Sequence, residues 1–312
     1  MRTVPTTAAM NIVEIDQITK SFGEKKAVAD LSLQVPQGSI YGFIGPNGSG
    51  KTTTLRLIMN IFYPDRGEIR VFGEKLHGAA CDRIGYLPEE RGLYKRMRVR
   101  EILRFYGGLK SGRDVSAEVD RWLEKLGLAD SAQQKVETLS KGMSHRVQFI
   151  AAVVAQPELV ILDEPFSGLD PVNVDSVRQA VLELRARGTT ILLSTHDMSV
   201  AEKMCDFICM IFRGRKVLDG TLTSIQEAYG TDTIRLRADG GAEAARGIAG
   251  VEAVTDYGQV QELRLRRDHD PQEILGTLLR RTRIDSFEVT KPSLHDIFVR
   301  IAAPKEAEVP HA

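Results

Sequence analysis

Residues 45–52 read Gly-Pro-Asn-Gly-Ser-Gly-Lys-Thr, which matches at every fixed position the phosphate-loop pattern GxxxxGK followed by Ser or Thr. An apolar run, residues 39–44, precedes the loop, and a helical pattern over residues 53–60 follows it. Small residues allow successive backbone N–H groups to surround phosphate oxygens, and the following helix adds the positive end of its dipole. The stretch predicts a nucleoside triphosphate site, in which Lys51 reaches the outer phosphates and the Thr52 hydroxyl binds Mg²⁺. The residues expected to hold the nucleotide here are Gly45, Pro46, Asn47, Gly48, Ser49, Gly50, Lys51, Thr52 and Thr53.

A pair of adjacent carboxylates ends a second apolar run. Residues 159–165 read Leu-Val-Ile-Leu-Asp-Glu-Pro, so a buried strand is expected to deliver Asp163 and Glu164 to its carboxyl end. Asp163 is expected to bind Mg²⁺, and the Glu164 carboxylate to orient or deprotonate an attacking water. Such a pair can also be two solvated loop residues, but a phosphate loop in the same chain favours the catalytic interpretation.

The composition is that of an ordinary globular protein. Lys plus Arg and Asp plus Glu each total 42 of the 312 residues, so the overall charge gives no reason to expect binding to nucleic acid or to an anionic membrane. The cysteines, Cys81, Cys205 and Cys209, lack metal-ligand spacing and are expected to be reduced. No apolar run approaches the roughly 20 residues of a membrane-spanning helix, so we expect any membrane role to need a partner protein.

The pattern along the chain divides it into two regions. Residues 12–225 alternate apolar β-rich runs with helical periods, as α/β proteins do, and within them about residues 93–154 show helical periods without a clear strand. Residues 231–303 read strand, helix, strand, strand, helix, strand, the order of a ferredoxin-like α+β domain, and end on an amphipathic helix. Residues 304–312 are charged and poor in apolar side chains, so a frayed tail is expected.

Four further features carry a resemblance to the ATP-binding subunits of ABC transporters, over residues 12–220. Residues 139–143, Leu-Ser-Lys-Gly-Met, resemble the family's signature segment, and residues 167–170, Ser-Gly-Leu-Asp, resemble its D-loop. His196 follows an apolar strand, at the spacing of the family's switch histidine. Phe22 stands where the family places an aromatic residue that stacks on adenine; the alternative for Phe22 is core packing.

The resemblance implies an α/β fold: a P-loop NTPase domain of the ABC type with a helical subdomain, followed by the small C-terminal α+β domain. It implies ATP as the nucleotide, together with Mg²⁺. It also implies that Glu164 and His196 are catalytic and that Ser140 and Gly142 contact the γ-phosphate from an opposing subunit. Asp170 is expected to contribute to the nucleotide site from the segment that crosses the dimer interface.

Two departures from the family pattern affect the expected chemistry. Glu89 stands where the family usually has glutamine, so it adds a carboxylate near the expected Mg²⁺ and is a candidate metal ligand. Lys141 and Met143 replace the usual glycine and glutamine of the signature, so one side-chain amide is missing. Together with residues 292–298, Pro-Ser-Leu-His-Asp-Ile-Phe, these variants resemble the ATPase subunits of bacterial exporters similar to the sodium-extrusion system. The phosphate loop and both carboxylates are retained, so we expect a competent ATPase.

The resemblance further implies a dimer with two ATP molecules at its interface, a homodimer in preference to a heterodimer, and an integral-membrane permease as partner. The subunit is then expected in the cytoplasm, peripheral on the inner face of the cell membrane, without a nucleic-acid partner. A basic cluster in the helical region is a candidate docking surface for the permease, or an ordinary solvated face. Its members are Arg91, Lys95, Arg96, Arg98, Arg100 and Arg104.

Other classes explain the sequence less well, with one exception. A chromosome-maintenance or repair ATPase of the same superfamily needs a long coiled coil between phosphate loop and signature, and the sequence has no heptad run. A translation-associated relative would carry two such cassettes, and this chain has one phosphate loop. A regulatory or sensing ATPase module that uses residues 231–312 to bind an effector is the alternative that stays open.

Overall fold

The computed structural model describes residues 10–75, 78–90, 92–230, 232–266 and 269–302. The chain divides into two compact units, and the boundary lies between Gly220 and Thr221. This boundary comes slightly before the end of the first region inferred from the sequence. Arg91, Thr231 and the predicted tail at residues 304–312 lie outside the described residues. Among the helices of the described ranges, none combines the length and the apolar character needed to cross a membrane.

Strands and helices alternate through the first unit. Its strands are β1 (Asn11–Phe22), β2 (Lys25–Pro36), β3 (Ile40–Ile44), β4 (Arg66–Val71), β5 (Ile84–Leu87), β6 (Leu159–Asp163), β7 (Thr190–Thr195), β8 (Phe207–Phe212) and β9 (Arg215–Gly220). Its helices are α1 (Lys51–Ile58), α2 (Val99–Ser111), α3 (Ser116–Lys125), α4 (Lys141–Val153), α5 (Pro171–Ala186) and α6 (Met198–Met204).

A six-stranded sheet forms the centre of this unit. Its order is β5-β6-β7-β3-β8-β9, and the pairs are parallel except β8 with β9 at one edge. The inner strands β3, β6 and β7 are buried at every position, as expected for a parallel sheet covered on both faces. The α/β prediction, with apolar strands at residues 159–162 and 191–193, is confirmed.

A second sheet in the first unit is antiparallel and has the order β2-β1-β4. The sequence pattern does not predict it, because register shifts interrupt the pairing of β1 with β2. At these irregularities Gln17 and Asp30 adopt positive φ angles of 46° and 50°. Each shift moves the following side chains to the other face, so the simple alternation of apolar and polar residues is lost.

Helices α2, α3 and α4 occupy the region predicted to be helical. Trp122 on α3 is 1% exposed and meets Phe149 on α4 edge-on, with ring centroids 6.1 Å apart. The single tryptophan of the chain is therefore a core residue. Val119 and Leu123 on α3 are also buried, as their helical spacing predicts.

The second unit contains α7 (Leu222–Tyr229), β10 (Thr233–Ala238), α8 (Ala242–Ala245), β11 (Val251–Asp256), β12 (Gln261–Leu265), α9 (Pro271–Arg281), β13 (Ile284–Thr290) and α10 (Leu294–Ala302). The strands form an antiparallel sheet of order β11-β12-β10-β13, so the predicted ferredoxin-like arrangement is present. The sequence predicts a helix over residues 242–249, but α8 ends at Ala245, because Arg246 is extended and Gly247 has a φ of 67°.

The motif at residues 292–298 has a structural explanation in the start of α10. The Ser293 hydroxyl accepts a hydrogen bond from the Asp296 backbone N–H at 3.1 Å, and the Asp296 carboxylate accepts one from the Ser293 N–H at 2.9 Å. This reciprocal pair is a capping box. Two hydrogen bonds from Arg300 to Asp232, at 2.9 and 3.1 Å, then tie α10 to the start of β10.

The three cysteines are free. Burial raises the pKa of the Cys205 thiol to about 12 and also raises the pKa of the fully buried Cys209. Both thiols therefore stay protonated at neutral pH and behave as small apolar side chains.

Candidate functional site

Neighbouring strands of the central sheet deliver the predicted site residues to one edge. β3 leads into the phosphate loop at Gly45, β6 ends at Asp163, and β7 ends one residue before His196. β5 ends at Leu87, two residues before Glu89. Because β5, β6, β7 and β3 are adjacent and parallel, their carboxyl ends bring together segments that are far apart in sequence.

The phosphate loop has a backbone that requires glycine at both ends. Gly45 and Gly50 have φ angles of 151° and 113°. A Cβ atom would collide with the carbonyl oxygen of Ile211 at Gly45, and with that of Ala27 at Gly50. Helix α1 starts directly afterwards, at Lys51, so its free N–H groups and its positive dipole end face the loop. This arrangement suits a bound phosphate.

The Lys51 ammonium group lies inside the loop. Lys51 is 6% exposed and donates hydrogen bonds to the carbonyl oxygens of Gly45 and Pro46 at 2.7 and 3.3 Å. Burial lowers the pKa of Lys51, although three nearby carboxylates act in the opposite direction. The protein thus holds a cation in a poorly solvated position, which an anionic ligand would stabilise.

Asp163 is a buried carboxylate whose two oxygens have no hydrogen bond of good geometry with any described residue. It is 1% exposed. Burial raises the pKa of Asp163, and the nearby hydroxyls of Ser194 and Thr52 oppose this effect. A bare carboxylate beside the hydroxyl of a phosphate loop suits a hard divalent cation, so Asp163 and Thr52 fit the predicted Mg²⁺. No cluster of three or more His, Cys, Asp or Glu able to hold a metal occurs in the described ranges; the cation would take its other ligands from nucleotide and water.

Glu164 and His196 form a hydrogen-bonded pair, a contact that the sequence motifs do not predict. Nδ1 of His196 lies 2.9 Å from Oε1 of Glu164, and Nζ of Lys51 lies 3.8 Å from the same oxygen. Glu164 is 7% exposed and has a φ of 52°, and its backbone N–H donates to the carbonyl of Ser194 at 3.0 Å. A carboxylate fixed in this way by both backbone and side chain is well placed to position a water.

Glu164 and much of the phosphate loop line one cleft, with a volume of about 480 Å³. Phe22 and Glu89 line the same cleft. Phe22 meets Phe62 edge-on at 5.4 Å but stays 47% exposed, so it is not a buried core residue and its ring is open to a base. The loop residues that line the cleft are Asn47, Gly48, Gly50, Lys51, Thr52 and Thr53, while Gly45, Pro46 and Ser49 belong to the same loop.

Ser140 and Gly142 lie outside the residues that line this cleft. Ser140 is the N-cap of α4, where its hydroxyl accepts a hydrogen bond from the Met143 N–H at 3.2 Å. A Cβ atom on Gly142 would lie 3.8 Å from the side chains of Leu169 and Asn173. The structure therefore brings the signature and the segment at residues 167–170 together, and leaves room beside Gly142.

Asp170 is the N-cap of α5. Its carboxylate accepts hydrogen bonds from the backbone N–H groups of Val172 and Asn173, both at 3.1 Å. These bonds lower the pKa of Asp170, so its charge stabilises the start of α5. The predicted contribution of Asp170 to the nucleotide site stays a prediction, as do the roles assigned to Ser140 and Gly142.

One site residue escapes the sequence motifs: Gln148 on α4. Gln148 is 6% exposed, and its amide donates hydrogen bonds to the carbonyl oxygens of Pro88 and Glu90 at 3.4 and 2.9 Å. It therefore ties the loop that carries Glu89 to α4, the helix that Ser140 caps. The sequence feature that could have revealed Gln148 is a polar residue among the apolar residues of α4. A buried amide needs hydrogen-bond partners, so such a residue indicates a contact with another segment.

Two families match the chain. Residues 28–167 match the family described as ABC transporter, and residues 220–302 match the family described as ATP-binding protein DrrA1-3-like, C-terminal domain. The first match lies within residues 12–225, and the second begins at residue 220 and covers the C-terminal region.

Relatives of known sequence extend over most of the chain. An uncharacterized ABC transporter ATP-binding protein of Bacillus subtilis, YhaQ, is 39% identical over 290 residues, which cover 92% of this chain and 97% of the relative. The linearmycin resistance ATP-binding protein LnrL of the same species is 34% identical, covering 93% and 98%. The Nod factor export ATP-binding protein I of Paraburkholderia xenovorans is 38% identical, covering 72% and 79%.

Solved structures agree. An ATP-binding subunit of an ABC transporter superposes with a TM-score of 0.65 at 31% identity, covering 70% of this chain and 93% of that one. An ATP-binding cassette in its ADP conformation gives 0.59 at 26%, covering 68% and 91%. The predicted family and fold are confirmed: the chain belongs to the ATP-binding subunits of ABC transporters, which hydrolyse ATP to drive transport.

Proposed function

We propose that this chain powers an exporter as a homodimer in which each nucleotide site is built from both subunits. The observation that supports this proposal is that the residues predicted to bind the nucleotide lie on two surfaces. Lys51 and Glu164 line the phosphate-loop cleft, whereas Ser140 and Gly142 do not. A second copy would supply the missing half to each cleft. The names of two relatives, Nod factor export and linearmycin resistance, support export; the cargo belongs to the membrane partner.

In this proposal the cleft residues have distinct roles. Phe22 stacks on the adenine, and the loop N–H groups with Lys51 hold the phosphates. Thr52 and Asp163 hold Mg²⁺, to which Glu89 can add a carboxylate; bound Mg²⁺ neutralises charge on the phosphates. Glu164 accepts a proton from the attacking water.

His196 and the partner's signature complete the site. His196 fixes the Glu164 carboxylate through its 2.9 Å contact. Gly142 lies in the first turn of α4, where free N–H groups and the helix dipole favour an anion. Closure would place this turn of one subunit against the γ-phosphate held by the other. Hydrolysis then cleaves the γ-phosphate from the nucleotide, and its release as inorganic phosphate removes the group that both subunits hold and allows them to separate.

A mixing experiment tests the two-subunit site. Lys51→Ala removes the phosphate-binding cation of one subunit. Gly142→Asp places a carboxylate in the first turn of α4, where a helix tolerates it and where the neighbours of Gly142 leave room for a Cβ. Each variant alone is expected to be inactive.

A mixture of the two variants is expected to recover Mg²⁺-dependent hydrolysis, because one of the two sites in a mixed dimer combines an intact loop with an intact signature. Lys51→Ala mixed with Glu164→Gln is the control, because both changes lie on the loop side of the cleft. In that mixed dimer both sites have a damaged loop side, one through Lys51→Ala and the other through Glu164→Gln, so the mixture should stay inactive. Recovery in neither mixture would contradict a site shared between subunits.

An exposed aromatic patch in the helical region supports docking of a permease there. Tyr94 and Phe105 are 58% and 45% exposed, and both contact Tyr106, with ring centroids 6.2 and 5.6 Å away. Leu109 is 69% exposed. The described basic residues Lys95, Arg96, Arg98 and Arg104 are exposed in the same region. Exposed aromatic residues beside arginines are typical of protein interfaces.

Replacing the patch should separate hydrolysis from transport. Tyr94→Ser with Phe105→Ser is expected to leave the ATPase activity of the isolated subunit unchanged and to abolish its stimulation by membranes that contain the permease. Tyr257→Ser with Leu279→Ser is the matched control, because both residues are similarly exposed, at 53% and 62%, in the second unit. Full stimulation of the patch variant would rule out docking at this surface.

A further inference from the structure

The opposite edge of the central sheet carries a second cavity, with a volume of about 310 Å³. Gln37, Glu158 and Thr189 line it, and each precedes the start of a parallel strand: β3, β6 and β7. Arg121 from α3 and Arg187 at the end of α5 line its other side. The cavity therefore lies at the amino ends of the strands, whereas the phosphate-loop cleft lies at their carboxyl ends.

The positive charge at this cavity exceeds the negative charge. Glu183 is paired with three cations at once: Arg121, at 3.0 Å, Lys125 and Arg187. One carboxylate therefore faces three positive side chains, so positive charge is in excess around Glu183. Burial lowers the pKa of Arg121 and of Lys125, and the nearby charge of Arg187 lowers both further.

The other carboxylates near the cavity have cations of their own. Glu158 accepts two hydrogen bonds from Arg83, at 2.6 and 2.8 Å. Glu118, which lies close to Arg121, is 4.0 Å from a guanidinium nitrogen of Arg113. Both carboxylates therefore have a further cation nearby, and Glu118 offsets only part of the charge of Arg121.

Trp122 also lines the cavity, and two of the cations lie against its ring. The Arg121 guanidinium lies over its ring, 4.8 Å from the centroid, and the Lys125 ammonium lies at 5.9 Å. The side chains around this cavity thus offer donors and positive charge in excess, a combination that suits an oxyanion.

We propose that this cavity binds a phosphate dianion, free or as a small phosphate monoester, between Arg121 and Arg187. The two arginines come from the helical region and from α5, so the bound anion would join α3 to the end of α5. This site is separate from the nucleotide cleft, and the proposal does not depend on the dimer proposed above. The volume admits a phosphate with a small organic group and is at the lower limit of ligand pockets.

The single tryptophan of the chain reports directly on the site. Inorganic phosphate is titrated into the Lys51→Ala protein at constant ionic strength, with Trp122 emission as the signal. Lys51→Ala weakens binding at the phosphate loop, and constant ionic strength keeps the general screening unchanged during the titration. A saturable change is expected, and glycerol 3-phosphate in a parallel titration distinguishes a free phosphate from an esterified one. A change that chloride reproduces would overturn the proposal.

Arg187→Gln in the same background is expected to weaken phosphate binding about tenfold or more, as for the loss of a charge-assisted hydrogen bond. Arg178→Gln is the matched control: it lies on α5 and pairs with Asp175. Arg121→Gln is less suitable, because it alters the environment of the Trp122 ring itself. Titration calorimetry detects binding that leaves the Trp122 emission unchanged. The absence of a saturable heat would overturn the proposal, and so would a phosphate affinity of the Arg187→Gln variant equal to that of the Lys51→Ala background.

Discussion

Oε1 of Glu164 lies between Nδ1 of His196, at 2.9 Å, and Nζ of Lys51, at 3.8 Å. The three residues come from the end of β6, the end of β7 and the phosphate loop after β3, which are neighbours in the sheet. A carboxylate in contact with two basic groups has a fixed orientation toward the cleft. The arrangement makes Glu164 the centre of the proposed hydrolytic site and gives His196 a positioning role.

We predict that His196→Ala lowers the rate of ATP hydrolysis about 10²-fold, with little change in ATP binding, because it frees the Glu164 side chain without touching the loop. His196 has a side chain that is 53% exposed, so the change leaves no buried cavity. The measurement is kcat and the Kd for ATP of the same preparation. Equal loss of binding and rate would show that His196 acts by holding the nucleotide and not by positioning Glu164.

We predict that Asp163→Asn stabilises the nucleotide-free protein at neutral pH although it stops Mg²⁺-dependent hydrolysis. Burial raises the pKa of Asp163 in the folded state, whereas an ordinary carboxyl group titrates at about pH 4. Between these two pKa values the folded state binds more protons than the unfolded state. Stability contributed by this group therefore falls as pH rises through that window. Each unit of pKa shift corresponds to about 1.4 kcal/mol.

Thermal unfolding of wild type and Asp163→Asn between about pH 4 and pH 8 measures the effect, with Asp170→Asn as control. Hydrogen bonds lower the pKa of Asp170, so its neutralisation should not stabilise the protein at neutral pH. An Asp163→Asn protein less stable than wild type at pH 7 without nucleotide would contradict the view of Asp163 as a desolvated charge.

We predict that Gln148→Leu weakens the coupling between α4 and the loop that carries Glu89. The change keeps the side-chain size and leaves the carbonyls of Pro88 and Glu90 without the amide, at a cost of about 1–3 kcal/mol. Hydrogen exchange should rise in residues 86–94, and hydrolysis should need more Mg²⁺. Gln179→Leu, an exposed position on α5, should change neither. Unchanged exchange in both variants would show that the loop is held by other contacts.

Much of the catalytic edge is predictable because each motif directly follows an apolar strand. The runs before Gly45, Asp163 and His196 have few polar residues, and parallel strands collect their carboxyl ends at one edge. The contact between His196 and Glu164 is different, because it depends on β6 and β7 being neighbours. That order is a long-range property that a single sequence does not encode in any local pattern.

The antiparallel sheet β2-β1-β4 is a second feature that the sequence pattern does not predict. β1 and β2 pair with several register shifts around Gln17 and Asp30, which break the alternation that makes a half-buried strand recognisable. The length of helix α8 is a third feature that the sequence pattern does not predict, because an alanine-rich stretch with good helix propensity ends where Arg246 becomes extended. Gly247 follows with a φ of 67°, so a glycine inside the predicted range ends the helix against the propensity of its alanines.

The most direct measurement is the oligomeric state of wild type and Glu164→Gln by light scattering with ATP, alongside Mg²⁺-dependent hydrolysis. Glutamine retains the shape of Glu164 but cannot take a proton from water, so hydrolysis should fall about 10²- to 10⁴-fold. ATP should then hold Glu164→Gln as a stable dimer, while the wild type hydrolyses ATP and returns to monomers. A Glu164→Gln protein that hydrolyses ATP at the wild-type rate, or that binds ATP and stays monomeric, would contradict the account.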